Sequence, residues 1–380
     1  MEQYLDNSAT TKVCRAACEA VTEAMRVSYG NPSSLHKMGL EAERRVTASR
    51  KIIAQTLSCE PGELIFTSGA TESNNMAIYG ITSAYSRNGK KIVTTMIEHP
   101  SVLEPCARLE QEGYTVIKLP PDKEGHITPE AFVEAVDQNT VLVAFMLVNN
   151  EIGTILEAEQ ICRAVKRKNP KTLIHIDAVQ GYCKIPFSLR KVSADTVSIS
   201  GHKIYAPKGI GGLFVRKGVR LKPLVTGGGQ EKGLRSGTES VPLIAGFGAA
   251  VSDTFPQLKT NFNHYIQLNE AVRQQLAAIS EITINSKQDA APYILNFSVQ
   301  GIRSEIMLHH LERMGIYVSS GSACAKGAQS HVLAAFGLTK ALSDTALRIS
   351  FSPETDQEAL DGLINGLKSG LEVLAKSRYR

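Results

Sequence analysis

The sequence predicts an α/β fold: a mostly parallel sheet with helices on both faces, followed by a smaller C-terminal α+β domain. Up to about residue 240, short apolar runs rich in β-branched residues alternate with longer segments of helical periodicity, an alternation typical of parallel sheets. The run Val141–Val148 contains no polar residue, as expected of a strand that is buried on both faces. Beyond residue 240 the pattern changes to long helices with fewer strands, which indicates a second domain.

Seven strands are predicted in the N-terminal part of the chain. They are Glu63–Ser68, Lys91–Met96, Thr115–Leu119, Val141–Val148, Leu173–Asp177, Thr196–Ser200 and Gly212–Val215. The helical segments between them include Thr71–Arg87, Ser101–Glu112, Pro129–Asp137 and Ala158–Lys168. Because strands and helices alternate, we expect the seven strands to form one mostly parallel sheet.

The C-terminal part combines long helices with a few strands. Pro242–Arg273 has the pattern of a long helix that is interrupted at Pro256, because proline cannot donate a backbone hydrogen bond. The strands and helices expected after it are Tyr293–Val299, Ser304–Met314, Ile316–Ser319, Ala346–Phe351 and Asp356–Ala375.

Composition excludes several classes of protein. The chain has 380 residues, 43% of them apolar and 21% charged, which are ordinary values for a globular protein. No apolar run approaches the roughly 20 residues that a membrane helix needs, and the first residues lack the basic and apolar regions of a signal peptide. Seven scattered cysteines, an odd number, indicate reduced thiols and a cytoplasmic location. A net charge of +5 without a basic cluster argues against direct binding of nucleic acid.

Ligands of parallel sheets bind beyond the carboxyl ends of the strands, so the residues that follow each predicted strand are candidate site residues. The first strand is followed by Gly69–Asn74, a turn of small and polar residues that opens a helix. Free backbone N–H groups at a helix start, together with the Thr71 hydroxyl, would form a cradle for phosphate. The alternative is structural, since Thr71 and Ser73 are both of types that cap helix N-termini.

Polar residues also follow other strands. His99, the Asn149–Gly153 turn, Asp177 and Gln180 lie at such strand ends. Each has a structural interpretation as well, as a turn histidine, as turn chemistry or as a helix cap. His175 with Asp177 suggests a metal, but their spacing within one strand and the lack of a clear third ligand argue against a metal site.

The strongest signal follows the sixth strand. Lys203 comes directly after Thr196–Ser200, in the segment Ser-Gly-His-Lys-Ile-Tyr-Ala-Pro-Lys-Gly. The end of a buried strand is an unusual place for a solvated charge, and a lysine whose surroundings hold its pKa near neutral can form a Schiff base. The Gly209–Gly212 run is a weak dinucleotide-binding signal, and it leads into a strand rather than a helix, which argues against that function.

Together, the strand ends supply a phosphate cradle, a ring that can stack, a carboxylate and a lysine. Pyridoxal phosphate fits this set, because its aldehyde reacts with a lysine and its ring nitrogen needs a carboxylate partner. Each structural alternative is reasonable alone, but none explains why the four groups occur together. The sequence therefore predicts a pyridoxal-phosphate enzyme.

Five motifs carry a resemblance to a known family. They are Thr-Ser-Gly-Ala-Thr-Glu-Ser at 67–73, Val-Asn-Asn-Glu-Ile-Gly at 148–153, His-Ile-Asp-Ala-Val-Gln at 175–180, Ser-Gly-His-Lys-Ile-Tyr-Ala-Pro-Lys-Gly at 200–209 and Arg-Ser-Gly-Thr-Glu at 235–239. In this order they resemble the cysteine desulfurases of the NifS/IscS type, which are class V aminotransferase relatives with the type I pyridoxal-phosphate fold. The resemblance extends from Tyr4–Thr11 to about Phe351. We divide the chain into a large domain, residues 13–256, and a small domain formed by residues 1–12 and 257–380.

The resemblance implies a role for each cofactor-binding residue. Lys203 would hold pyridoxal phosphate as a Schiff base, Asp177 would pair with its ring nitrogen, and His99 would stack on the ring and assist proton transfer. Asn150 and Gln180 would lie along the phenolic oxygen of the cofactor and the substrate. The phosphate would be bound by Ala70, Thr71, Ser200 and His202.

The resemblance also implies contacts to a second subunit and to the substrate. Thr238, in Arg-Ser-Gly-Thr, matches the threonine that reaches the phosphate of the other subunit in this family, which implies a homodimer. Arg348, in Leu-Arg-Ile-Ser, matches the arginine that clamps the carboxylate of the substrate, L-cysteine. A guanidinium suits this bidentate contact.

Cys324 is the nucleophile that the resemblance implies. It lies in a run of Ser, Gly and Ala residues that cannot bury much apolar area, so we expect a mobile loop over about residues 319–330. The other six cysteines lie in apolar or helical contexts that are typical of core thiols. Cys14 and Cys18 are too few for a metal site, and no resident metal is expected. The resemblance implies that Cys324 could also serve as a transient iron–sulfur ligand.

The implied reaction removes sulfur from L-cysteine. A persulfide forms on Cys324, L-alanine leaves, and the sulfur passes to an acceptor protein, either an iron–sulfur scaffold or a tRNA-thiolation enzyme. The segment Ala325–Gln329 is slightly shorter than in the long-loop branch of the family, and the chain ends soon after its last helix, so the acceptor stays open.

Three alternatives remain. A selenocysteine lyase would use the same site, another class V aminotransferase would not need the loop thiol, and a sulfur-carrier partner would not need catalysis. The presence of Lys203, Asp177, His99 and Cys324 argues against a carrier. Release of alanine by the protein without any partner distinguishes an enzyme from a sulfur carrier.

Overall fold

The computed structural model describes residues 2–122, 125–320 and 330–374. Its strands are β1 (Gln3–Tyr4), β2 (Leu64–Thr67), β3 (Lys91–Thr95), β4 (Thr115–Leu119), β5 (Thr140–Met146), β6 (Leu173–Asp177), β7 (Thr196–Ser200), β8 (Gly211–Val215), β9 (Ile282–Ile284), β10 (Ile294–Val299), β11 (Ile316–Tyr317), β12 (Ser319–Ser320) and β13 (Ala346–Ser350). Its helices are α1 (Arg15–Arg26), α2 (Lys37–Leu57), α3 (Ala70–Ala84), α4 (Pro100–Gln111), α5 (Pro129–Ala135), α6 (Ala158–Lys168), α7 (Val241–Thr254), α8 (Leu258–Ala277), α9 (Ser304–Arg313), α10 (His331–Ala335), α11 (Lys340–Asp344) and α12 (Gln357–Val373).

The predicted seven-stranded, mostly parallel sheet is confirmed. Its strand order is β2–β8–β7–β6–β5–β3–β4, in which β8 is antiparallel to both neighbours and the other neighbouring pairs are parallel. Each predicted strand coincides with or overlaps one of these strands. The carboxyl ends of β2, β3, β5, β6 and β7 therefore lie along one edge, where α/β proteins place their ligands.

Both faces of the sheet are covered, as the run in β5 predicts. Leu142 and Ala144 pack in a cluster with α3 and α4, whereas Val143 and Phe145 belong to the larger core on the opposite face. The Phe145 ring lies 5.4 Å from that of Phe132 on α5. Burial of one Leu, Val or Phe side chain stabilises a fold by roughly 2 kcal/mol, so both faces hold β5 in place.

The C-terminal part contains a second, antiparallel sheet of order β12–β13–β10–β9. Helix α12 packs against α8 and α9, and all three helices pack against strands of this part. β1 pairs in parallel with β11, and Asp6 forms a bridge with Ser350 of β13. The N-terminal strand thus packs with elements from the C-terminal part of the chain. The residues that follow β1 reach the end of the main sheet, where Ala9 contacts Lys203.

The C-terminal elements differ from the prediction in two places. The expected single strand Ile316–Ser319 is two short strands, β11 and β12, which belong to different sheets. β9 is not predicted, because three half-buried residues give too short a pattern to recognise. The interruption at Pro256 is confirmed, since a 3₁₀ turn over Phe255–Gln257 separates α7 from α8. None of the described helices has the length and apolar character that crossing a membrane requires.

Candidate active site

A cavity of about 720 Å³ lies at the carboxyl edge of the main sheet, within the size range of small-molecule sites. Ten of the twelve site residues predicted from the sequence line it: Ala70, Thr71, His99, Asn150, Asp177, Gln180, Ser200, His202, Lys203 and Arg348. Thr238 does not line this cavity and is exposed. Cys324 lies outside the described residues.

Lys203 enters the cavity from a 3₁₀ turn over Gly201–Lys203, directly after β7. Its Nζ donates to the backbone carbonyl of Ser8 and, at 2.8 Å, to that of Ala9. The turn packs tightly, because a Cβ on Gly201 would lie 2.9 Å from Ile210 Cγ2. The amine is therefore held by backbone from the N-terminal segment, at the position where the sequence predicts a Schiff-base lysine.

Asp177, the last residue of β6, presents a buried carboxylate to the cavity. Its Oδ2 accepts from Asn74 Nδ2 at 2.8 Å and its Oδ1 accepts from Val179 N at 3.0 Å. A carboxylate oxygen has more than one acceptor site, so Oδ1 and Oδ2 can each accept one further hydrogen bond. This arrangement suits the protonated ring nitrogen of a pyridine.

His99 caps the N-terminus of α4. Its Nδ1 accepts from the backbone N–H of Ser101 at 3.1 Å and lies 2.8 Å from Ser101 Oγ. Burial lowers the pKa of His99, an effect that the neighbouring Asp177 partly opposes. The ring is thus fixed at one nitrogen, while the side chain lines the cavity.

The start of α3 forms one end of the cavity. Gly69–Glu72 line it, and the N–H groups of a first helical turn have no partners within the helix. Gly69 occupies the N-cap position without a side-chain hydrogen bond, and Thr71 and Ser73 lie inside the helix. The capping alternative for these two residues is therefore wrong. Close packing requires glycine at 211, because a Cβ there would lie 2.8 Å from Gly69 Cα.

His202 and Ser200 also line this part of the cavity. His202 Nδ1 lies 3.2 Å from Thr10 Oγ1. Burial and, second, the charge of Lys203 lower the pKa of His202 to about 4. A neutral histidine, a serine hydroxyl and the helix start form a suitable donor set for a phosphate.

Arg348 of β13 reaches the cavity from the C-terminal part of the chain. Its Nη1 donates to the Asn150 carbonyl oxygen at 2.8 Å and its Nη2 donates to Asp6 Oδ1 at 2.8 Å. Gln180, which follows β6 of the main sheet, donates from its Nε2 to the Ser8 carbonyl oxygen at 2.9 Å. Residues 6–9 of the N-terminal segment thus contact both the amine of Lys203 and the guanidinium of Arg348.

Sequence reasoning missed several residues of the site. Asp6 and Ser8 line the cavity. The resemblance includes them in Tyr4–Thr11 but gives them no role, and the run of small polar residues fits neither a helix nor a strand. Lys184 does not line the cavity but is buried beside it, with its Nζ 3.4 Å from Oε1 of the lining residue Gln180. Burial and, second, the charge of Lys203 lower the pKa of Lys184 to about 7. No periodicity distinguishes this lysine from a surface one.

The residues next to the segment 321–329 lie at the cavity. Ser319 and Ser320 line it on one side. On the other side Ser330 donates to Glu151 Oε2 at 2.6 Å, and Glu151 is also a lining residue. Within the described ranges, no group of three or more His, Cys, Asp or Glu side chains could hold a metal ion.

Comparison with known proteins agrees with this geometry. The family model described as aminotransferase class-V matches residues 3–363. The chain belongs to the aminotransferase class-V family. Among class-V relatives, a protein named cysteine desulfurase IscS from Dictyoglomus turgidum is 37% identical, covering 98% of this chain and 95% of its own. A NifS/IcsS protein homolog from Lactobacillus delbrueckii subsp. bulgaricus is 41% identical, covering 95% of each chain.

Solved structures of similar proteins show the same fold. A NifS-like protein superposes with a TM-score of 0.94 and is 38% identical, covering 98% of this chain and 100% of its own. A structure of SspA in complex with cysteine has a TM-score of 0.82 and is 34% identical, covering 93% of this chain and 100% of its own. The resemblance to cysteine desulfurases of the NifS/IscS type is confirmed.

Proposed function

We propose that this class-V chain is a cysteine desulfurase, a pyridoxal-phosphate enzyme that converts L-cysteine to L-alanine and leaves a persulfide on Cys324. The observation that carries the proposal is the convergence of an amine, a carboxylate, an imidazole and a guanidinium on one cavity, from Lys203, Asp177, His99 and Arg348. The names of the relatives, and cysteine in the complex with SspA, agree with the choice of substrate.

The residues present fit pyridoxal phosphate. Lys203 would hold its aldehyde, Asp177 its ring nitrogen and His99 one face of its ring. The helix start at Ala70 and Thr71, with Ser200 and His202, would bind the phosphate, and Asn150 and Gln180 would lie near the phenolic oxygen. When bound there, the cofactor would supply a sink for electrons from the substrate Cα.

The protein's own groups would then move protons and sulfur. The Lys203 amine would take the Cα proton of L-cysteine while Arg348 holds the carboxylate. The Cys324 thiolate attacks the substrate sulfur, so that a sulfur–sulfur bond forms as the carbon–sulfur bond breaks. The electron pair of the broken bond would stay with the carbon, which takes up a proton to become the methyl group of alanine, and Lys203 would return its proton to Cα. The carbon is thereby reduced and the sulfur oxidised to the persulfide level, so no external oxidant is needed.

Chain length allows this transfer. Cys324 is four residues beyond Ser320, which lines the cavity, and four residues span at most about 14 Å. We propose that residues 1–12 and 257–380 form the small domain that carries Cys324.

The acceptor of the sulfur stays a prediction: it is either an iron–sulfur scaffold or a tRNA-thiolation enzyme. A cytoplasmic location also stays a prediction, and one relative is named as a mitochondrial protein.

A homodimer is also proposed, supported by an exposed apolar surface. Six large apolar side chains at the end of α1 and the start of α2 are 41% to 104% exposed: Met25, Val27, Tyr29, Leu35, Met38 and Leu40. Exposed apolar groups of this kind mark interaction surfaces. Thr238, which lies outside this chain's cavity, would then reach the cavity of the partner.

Leu35→Glu is expected to shift the protein from dimer to monomer, because the change places a charge in the proposed interface. Sedimentation velocity measures the shift across a range of protein concentrations. Val373→Glu, at an exposed apolar residue of α12 outside this surface, is the matched control and should remain dimeric. A wild-type protein that sediments as a monomer would contradict the proposal.

The function is tested with purified wild type and Cys324→Ala supplied with pyridoxal phosphate and L-cysteine. Alanine and protein-bound persulfide are quantified over time. We expect both products from wild type, and no persulfide from the variant, because the variant lacks the accepting thiol. Persulfide on a different cysteine would show that the nucleophile is misassigned. Absence of alanine from wild type that has bound the cofactor would contradict the desulfurase.

A further inference from the structure

Asn74 joins the candidate active site to a buried histidine behind it. The side chain lies on the first turns of α3, is fully buried and does not line the cavity. Its Nδ2 donates to Asp177 Oδ2 at 2.8 Å and to Ser101 Oγ at 2.8 Å. Its Oδ1 lies 3.0 Å from His175 Nε2. One amide therefore contacts groups from β6 and from α4.

The hydrogen-bonding capacity of these groups fixes the direction of the bonds that Asn74 makes to Asp177 and His175. A carboxylate only accepts, so the amide nitrogen of Asn74 must face Asp177 and its amide oxygen must face His175. An amide oxygen also only accepts, so His175 carries a proton on Nε2. Burial lowers the pKa of His175 to about 3, and the neutral ring has no second proton.

The remaining nitrogen of His175 is matched in the same way. Its Nδ1 lies 2.9 Å from Thr196 Oγ1, and an unprotonated nitrogen accepts from that hydroxyl. His175 and Thr196 are both fully buried. The chain Thr196–His175–Asn74–Asp177 thus consists of donors and acceptors in a single consistent order, with its last member at the cavity.

We propose that Asn74 and His175 are positioning residues: His175 orients the Asn74 amide, and the amide holds the Asp177 carboxylate in place for the ring nitrogen of the cofactor. This inference rests on the proposed function, since it assigns Asp177 to that nitrogen. It adds that two residues outside the cavity determine how well Asp177 performs its task.

The geometry explains why both residues are needed. Without the His175 N–H, the Asn74 amide could turn over and point its oxygen at Asp177, which would repel the carboxylate. Without Asn74, Asp177 would keep the Val179 N–H on Oδ1 but lose the donor on Oδ2. A carboxylate held at one oxygen alone is free to rotate away from the ring nitrogen.

The test measures the dissociation constant of pyridoxal phosphate in the absence of L-cysteine, by fluorescence titration of cofactor-free protein. Asn74→Leu and His175→Phe are each expected to weaken binding by about 10- to 100-fold, the effect of losing a hydrogen bond to a charged group. His175→Gln keeps an N–H donor for Asn74 Oδ1, and its affinity should stay within about threefold of wild type.

Asn269→Leu is the matched control for loss of a buried asparagine. Asn269 is buried on α8, donates to the Pro292 carbonyl oxygen at 2.9 Å and does not line the cavity. Its variant should be destabilised in urea but should bind the cofactor as wild type does. A comparable loss of affinity in this control would show that general destabilisation, rather than the position of Asp177, explains the effect.

The tautomer of His175 gives a second test that needs neither cofactor nor substrate. Two-bond ¹H–¹⁵N spectra of wild type should show the proton of His175 on Nε2. A proton on Nδ1, cofactor affinity of Asn74→Leu within about twofold of wild type, or equal affinities of His175→Gln and His175→Phe would each overturn the inference. Wild type that binds the cofactor but releases no alanine would instead contradict the proposed function alone.

Discussion

Lys203→Ala is expected to lower the rate of alanine release from L-cysteine by about 10⁴-fold, the upper range for loss of a proton-transfer group. The same change removes the amine that would link covalently to the cofactor aldehyde. Contacts from Asp177 and His99 would remain, so the variant should still bind pyridoxal phosphate without the absorbance of the covalent link. The alanine assay and the absorption spectrum measure the two effects separately.

Two other lysines near the site sharpen this test. Lys208 lines the same cavity, and Lys184 is buried with its Nζ 3.4 Å from Gln180 Oε1. Borohydride reduction of the loaded protein, followed by peptide mass analysis, should place the cofactor on Lys203 in wild type. In Lys203→Ala neither of the other lysines should carry it. Attachment to Lys184 or Lys208 in wild type would contradict the assignment.

The main sheet is predictable from sequence because its strands are buried on both faces. β5 shows this directly, since neither Val143 nor Leu142 faces water and the run lacks polar residues. The order of the strands, in contrast, is not predictable from local sequence. β8 lies between β2 and β7 and is antiparallel to both, and no local pattern in β8 states which strands it will join.

Some residues of the candidate site are likewise predictable from local sequence, and others are not. Asp177 and Ser200 end strands β6 and β7, and Lys203 lies in the turn after β7, so the rule that ligands bind at the carboxyl ends of strands finds them. Asp6 does not follow a strand of the main sheet, and it meets Arg348 from the opposite end of the chain. Asn74 lies within a polar run of the sequence, Thr71–Asn75, and nothing in that run marks it as a buried partner of Asp177. Residues whose partners are distant in the chain become visible only once the fold brings them together.

Arg348→Met is expected to raise KM for L-cysteine by about 10- to 100-fold with little change in kcat. Charge-assisted hydrogen bonds contribute about 1.5 to 3 kcal/mol each, and a carboxylate that does not react is held equally before and during the reaction. Nη1 and Nη2 donate one proton each to Asn150 and Asp6, and each nitrogen carries a second proton for the substrate. Steady-state kinetics of alanine release measure both constants.

Cysteamine has the amine and thiol of L-cysteine but no carboxylate. Its turnover therefore distinguishes loss of carboxylate binding by Arg348 from a general effect of the substitution on the fold. Wild type should strongly prefer L-cysteine, whereas Arg348→Met should lose most of this preference, because the change removes the contact that distinguishes the two substrates. Arg348→Lys should be intermediate, since an ammonium keeps the charge but not the planar fork. The pair of Arg348 with Asp6 is largely buried, at 10% and 20% exposed. An equal loss of turnover with both substrates would therefore mean that Arg348 acts by holding this pair together rather than by binding the substrate.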